Sequence, residues 1–144
     1  MPHPRLEMIE LPGAGDFNMP YTPAVKIVSG KPLYLAGVTA APVYHSHPHV
    51  SDEFDGIPLD TEEQAAMTMD NLEMVLEAAG AGLHDVVEMT RYIVDIDRNQ
   101  DGINRTLGRR LGSHRPATTT VEVTRLATDP RLVLELKAVA VVDD

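Results

Sequence analysis

An α+β fold, a single mixed β-sheet with two helices packed on one face, is predicted by three observations on these 144 residues. Apolar residues recur at spacings of three and four in only two stretches, 61–79 and 99–111, as they do along one face of a helix. The other apolar stretches are short and rich in β-branched residues, which is strand composition. Helices alternate with strands after an opening strand pair, giving the order ββαβαββ, which calls for one sheet covered by helices.

The elements follow in order. Residues 1–20 are rich in Pro and Gly, end L-P-G-A-G-D-F-N-M-P, and are expected to be a loosely ordered lead-in to a single domain over 21–144. A-V-K-I-V-S (24–29) and L-Y-L-A-G-V-T (33–39), separated by the turn-like S-G-K-P, predict a hairpin. Residues 40–60 hold three histidines, an acidic patch (Asp52, Glu53, Asp55) and the turn formers Gly56 and Pro58, and read as a long excursion. Asp60, with Glu63 three residues on, forms a capping signature ahead of Ala65, Met69, Leu72, Leu76 and Ala79, and Gly80 stops that helix. Met67, Met69 and Met74 on it are read as packing rather than ligands. Residues 86–96 alternate as a strand, and Ile103, Leu107 and Leu111 mark a second helix closed by Gly112. Strands at 117–124 and 132–142 end the chain, the last almost continuously apolar and therefore central. If both bury residues on both sides, the sheet's second face needs a cover, and another copy of the chain would supply one.

Composition narrows the chemistry. With no cysteine there is no disulfide framework, thiolate nucleophile or thiolate metal site. A net charge of −10 makes nucleic acid and anionic membrane poor partners. No apolar run approaches a membrane span and the N-terminal residues lack the apolar core of a signal peptide, so a cytoplasmic location is expected. Seven of the twelve basic residues nevertheless fall between 91 and 125, which leaves room for a local anion site. Arg91, Arg109, Arg110 and Arg115 each read either as surface ion-pairing groups or as a site cation, and Arg91 stands out because it lies inside a strand-like run.

V-Y-H-S-H-P-H-V (43–50) places His45, His47 and His49 at alternate positions, on one side of an extended chain. Three readings stay open for them: a metal site, cleft-lining acids, bases or anion donors, and a surface or subunit contact. No metal ligand and no cofactor is assigned from the sequence, and His45 and His47 are taken as substrate-binding candidates. Glu135 interrupts an apolar strand, where burial would push its carboxyl up toward general-base range, unless it pairs with an arginine. Thr118 and Thr120 share one strand face and could serve a site or simply strand propensity.

In order and spacing, M-P-Y-T-P-A-V (19–25), Y-L-A-G (34–37), N-L-E-M-V-L-E-A-A-G (71–80), D-V-V-E-M-T (85–90), R-P-A-T-T-T-V-E-V (115–123) and L-E-L-K-A-V-A-V (134–141) resemble the Rid family, the reactive intermediate deaminases also called YjgF or L-PSP proteins. The resemblance implies a chorismate-mutase-like homotrimer with a small-molecule substrate in each intersubunit cleft, and hydrolysis of imines and enamines with release of ammonia. It implies site roles for Glu135, which matches a glutamate associated with the attacking water, and for Tyr21, Asn104 and Gly37, which match cleft residues. Two positions depart from the pattern: Thr118 stands where deaminating members carry an arginine that grips the substrate carboxylate, and Val38 replaces a common glutamine.

The first departure has a physical consequence. A guanidinium offers a carboxylate a charged, bidentate fork and a hydroxyl only one neutral hydrogen bond, a loss of roughly 2 to 4 kcal/mol. Another cation must compensate, or the substrate differs from a simple 2-imino acid; an aminomuconate-like enamine is one such substrate. A non-catalytic trimer that binds a metabolite or regulates a partner is the alternative expectation.

Overall fold

The computed structural model describes residues 2–144. Eight strands and helices follow one another: β1 (Leu6–Ile9), β2 (Ala24–Ile27), β3 (Lys31–Tyr34), α1 (Thr61–Ala78), β4 (Val86–Val94), α2 (Ile96–Leu111), β5 (Ala117–Val123) and β6 (Leu134–Val142). The main sheet has the order β3-β6-β4-β5, antiparallel except for the β4/β5 pair. The α+β class and the two helices on one face are as expected, and β6 is central.

Both helices cover the same face because their apolar stripes meet one row of strand residues. Met69, Leu72 and Leu76 of α1 and Ile103 and Leu107 of α2 enclose Met89, Ile93, Leu134, Leu136, Ala138 and Ala140, all nearly or fully buried. The α1 cap forms as predicted, with the Asp60 carboxylate accepting from the Glu63 amide at 3.0 Å, and Gly80 leaves the helix at φ +76°. Met69 is fully buried, but Met74 is exposed, so packing accounts for the first and not the second. α2 starts three residues earlier than its periodicity predicts because Glu122 of β5 accepts from the Ile96 amide at 3.0 Å, a cap supplied from a distant strand.

Two expectations at the N-terminal end are corrected. Residues 24–29 and 33–39 do not form a hairpin: β2 pairs with β1, and β3 begins at Lys31 and pairs with β6. Gly30, at φ +86°, hands the chain from one pair to the other, and any Cβ there would strike the Val142 carbonyl and the Arg5 side chain. The lead-in over 1–20 therefore contributes a strand. Its Leu6 packs with Val87 and Val141 under the β1/β2 ribbon, on the sheet face away from the helices. At the other end a cluster around Phe54, with Ala40, Ala41, Ile57, Leu126 and Leu132, packs against Tyr92, Val94 and Val123. Between these two covers the second face is open. Thr119, Val121 and Lys137 are exposed there, beside partly buried Tyr92, Glu135 and Val139.

No helix of the described residues is long and apolar enough to cross a membrane.

Candidate active site

Strand alternation divides the predicted site residues between the two faces of the sheet. On β4, Met89 and Ile93 face the helices and Arg91 shares their side; on β5, Thr118 and Thr120 pair with Met89 and Arg91 and lie on that side too. Arg91 is 9% exposed, and its guanidinium donates from Nε to Thr120 Oγ1 at 2.9 Å and from Nη2 to Asn104 Oδ1 of α2 at 2.7 Å. Both acceptors are neutral. Among the described residues no carboxylate stands within ion-pair distance of it, and burial holds its pKa below the usual arginine value without removing the charge.

Four other arginines of the basic segment are engaged, and Arg98 and Arg125 are exposed. Arg105 and Arg109 pair with Glu62 at 3.6 and 3.3 Å, and Arg110 with Asp70 and Glu73 at 2.8 and 3.0 Å. Arg115 caps the end of α2 by donating to the carbonyls of Gly112 and His114. Arg91 is thus the cation of this segment that is buried yet left with neutral partners.

Arg91, Tyr21, Asn104, Thr118 and Thr120 line one pocket of about 260 Å³, with Pro20 and Gln100 completing it. An adjoining recess of about 230 Å³ shares Arg91, Asn104 and Thr118, and a larger one of about 450 Å³ under residues 10–23 shares Tyr21. Thr22 holds the Tyr21 segment in place, its hydroxyl donating to the Arg115 carbonyl at 2.5 Å. Thr118 does not replace an arginine as a donor, because its hydroxyl is spent on the Pro116 carbonyl at 2.9 Å. Thr22 and Gln100 were missed from the sequence. A signal existed for Gln100, which precedes Asn104 by four residues and so shares its helix face.

Glu135 lies on the opposite face. Leu134 and Leu136 on either side of it are fully buried toward the helices, and its register partner is Tyr92, whose neighbour Arg91 points the other way. The carboxylate lies over Gly37, where a Cβ would collide with it. Partial burial raises its pKa above the usual carboxylate value, and among the described residues no ion pair or side-chain hydrogen bond offsets that. Val38 exchanges both backbone hydrogen bonds with Leu136 at 2.9 Å and turns a 7% exposed side chain into the helix-side core. Val38, a substrate-binding candidate from the sequence, thus packs its side chain into that core.

The three histidines cluster elsewhere, in the exposed loop above Phe54, and none lines the Arg91 pocket.

Comparison with known proteins decides the family. The family model described as Endoribonuclease L-PSP matches residues 15–142. The chain belongs to the Rid/YjgF/L-PSP family. It is 32% identical over 121 residues to a RutC family protein of Pyrococcus abyssi, covering 84% of this chain and 85% of the relative. It is 33% identical over 88 residues to the 2-iminobutanoate/2-iminopropanoate deaminase of Escherichia coli K12, covering 59% of this chain and 66% of the relative. Among solved structures, the Rid protein YyfB of Yersinia pestis, of unknown function, superimposes with a TM-score of 0.78 at 26% identity, covering 96% of this chain and 99% of that one. The family supports a Rid-type imine deaminase or a related function for this Rid chain.

Proposed function

We propose that this Rid protein hydrolyses an imine or enamine that carries a carboxylate, with Arg91 as the group that holds the carboxylate and Glu135 of an adjacent subunit as the base. The observation that carries this reading is the buried Arg91 guanidinium, bonded only to Thr120 and Asn104. An uncompensated buried charge is costly, and a bound anion relieves it. Arg91 reaches its pocket from β4, whereas the family's arginine position, Thr118, is on β5. The anion subsite is displaced accordingly, which favours a substrate other than a simple 2-imino acid, such as an aminomuconate-like enamine with a second carboxylate.

Two half-sites on opposite faces of one sheet do not meet within a chain. In a trimer, the open strip that carries partly buried Glu135 beside exposed Lys137 and Val121 packs against the neighbour, bringing Glu135 and Gly37 of one copy to the Arg91, Tyr21 and Asn104 pocket of the next. Glu135 takes a proton from water as the oxygen attacks the C=N carbon, forming a C–O bond. Its raised pKa suits that task. Glu135 returns that proton to the nitrogen, the carbinolamine hydroxyl gives up a second one to it by way of the same carboxylate, and the C–N bond breaks so that ammonia leaves as the carbonyl forms. An enamine first takes a proton on carbon to become the imine. Tyr21 and Asn104 shape the pocket, with Asn104 also orienting Arg91.

The test uses 2-imino acids and aminomuconate-type enamines generated in place. Turnover above buffer that is lost in Glu135→Gln and in Arg91→Met supports the reading. Turnover by neither substrate class, with a carboxylate ligand recovered unchanged, would replace it with the non-catalytic binding protein.

A further inference from the structure

Outside the proposed active site, the most concentrated group of potential ligands is the histidine loop. We propose that His45, His47 and His49 form a binding site for one divalent transition-metal ion of the zinc class. Their ring centroids lie 4.8, 5.0 and 5.2 Å apart, and one ring nitrogen from each falls within 4.8 Å of the other two. Tetrahedral zinc with nitrogen at its usual bond length needs those atoms about 3.3 Å apart, a closure that small side-chain rotations supply.

Four features prepare the loop for an ion. His45 Nδ1 lies 2.9 Å from the Pro42 carbonyl, and a proton on Nδ1 donated to that oxygen leaves the Nε2 lone pair free, the arrangement in which histidine ligands are usually held. The rings of His45 and His49 stand edge-on to Phe54, which is 1% exposed and fixes the base of the loop. Both ends of the loop are clamped. Asn71 donates to the carbonyls of Thr39 and Ala41 at 2.8 and 2.9 Å, and Arg131 bonds to the Ser51 carbonyl and the Asp55 carboxylate at 3.0 and 2.8 Å. Glu53, which accepts from the Ser46 amide at 3.2 Å, adds a negative charge beside the cluster. Three imidazoles with no sulfur and no carboxylate among the ligands suit zinc, nickel, cobalt and copper rather than calcium or magnesium. A fourth coordination position is left for water.

The second group of this kind, His3, His84 and Asp85, is already committed. Its carboxylate accepts from His3 at 2.7 Å and from the Gly82 amide at 2.9 Å, and lies 3.7 Å from Arg5.

The experiment is calorimetric titration of the untagged, chelator-stripped full chain with Zn²⁺. One ion per chain is expected, with affinity falling at least about tenfold in His49→Ala and further in the His47→Ala/His49→Ala pair, while His84→Ala leaves the titration unchanged. The Co²⁺-loaded protein should show the visible absorption of tetrahedral cobalt. The exposed loop variants should melt, metal-free, at the parent temperature, which separates ligand loss from unfolding. No stoichiometric Zn²⁺ uptake, or uptake that persists in the double variant, overturns the proposal.

Discussion

Arg91 and Glu135 share a condition that few charged side chains accept: each is at least partly withdrawn from water, and among the described residues neither has an opposite charge within ion-pair distance. Replacing Arg91 with Met should raise KM for a carboxylate substrate by about 30- to 1000-fold, the equivalent of about 2 to 4 kcal/mol of charged hydrogen bonding, and steady-state kinetics reads it directly. Arg91→Lys should recover only part, since an ammonium cannot bridge Thr120 and Asn104 while presenting a fork to the ligand. Glu135 has a folded pKa raised by burial, so between its unfolded and folded values the native state binds the extra proton, and stability from this group falls as pH rises through that window. Glu135→Gln should therefore melt no lower than the parent at neutral pH, a sign opposite to that of a structural ion pair. Catalysis runs the other way, because the base works only when deprotonated, and the pH–rate profile should fall on the acid side at a value above that of an ordinary glutamate. The sequence marked both residues through the same clue, a charge inside a strand-like run. It could not show that Arg109, Arg110 and Arg115 are engaged elsewhere, because their partners lie across helix contacts or on helix-end carbonyls.

At the level of elements, what was legible depended on how local each signal is. α1 carries its own cap and stripe, and β6 its own apolar run, so both were read within two residues. The pairing of β2 with β1 was not, since a four-residue strand between Pro- and Gly-rich segments has no distinguishing period and owes its place to Val87 and Val141 beneath it. That ribbon is tethered by Asp85. Burial pushes the Asp85 carboxyl up, but the hydrogen bonds from His3 and the Gly82 amide outweigh it and hold the carboxyl below its usual range. With a depressed folded pKa, this group stabilises the native state above its unfolded pKa and the contribution is lost as pH falls through the folded one. His114 acts in the same direction: burial lowers its pKa, so acid that charges the unfolded histidine draws on the unfolded state first. Asp85→Asn should cost about 1 to 3 kcal/mol at neutral pH and flatten the acid limb of the stability curve, as urea unfolding at several pH values would record.

For the whole molecule, the open strip on the second face is the feature that one chain cannot account for. Its central strands are covered at one end by the β1/β2 ribbon and at the other by the Phe54 cluster, leaving Glu135 between them. The sequence indicated that a second cover was needed, but the division of the site between two faces emerged only from the register. Light scattering in dilute solution should give three times the 15.7 kDa chain mass. The most direct measurement mixes two inactive variants. Arg91→Met and Glu135→Gln chains, unfolded together and refolded at equal amounts, should regain about a quarter of the parent's activity, because one cleft in four then receives an intact residue from each neighbour. Recovery at that level is the predicted result; a mixture as inactive as its components would contradict a site shared between subunits.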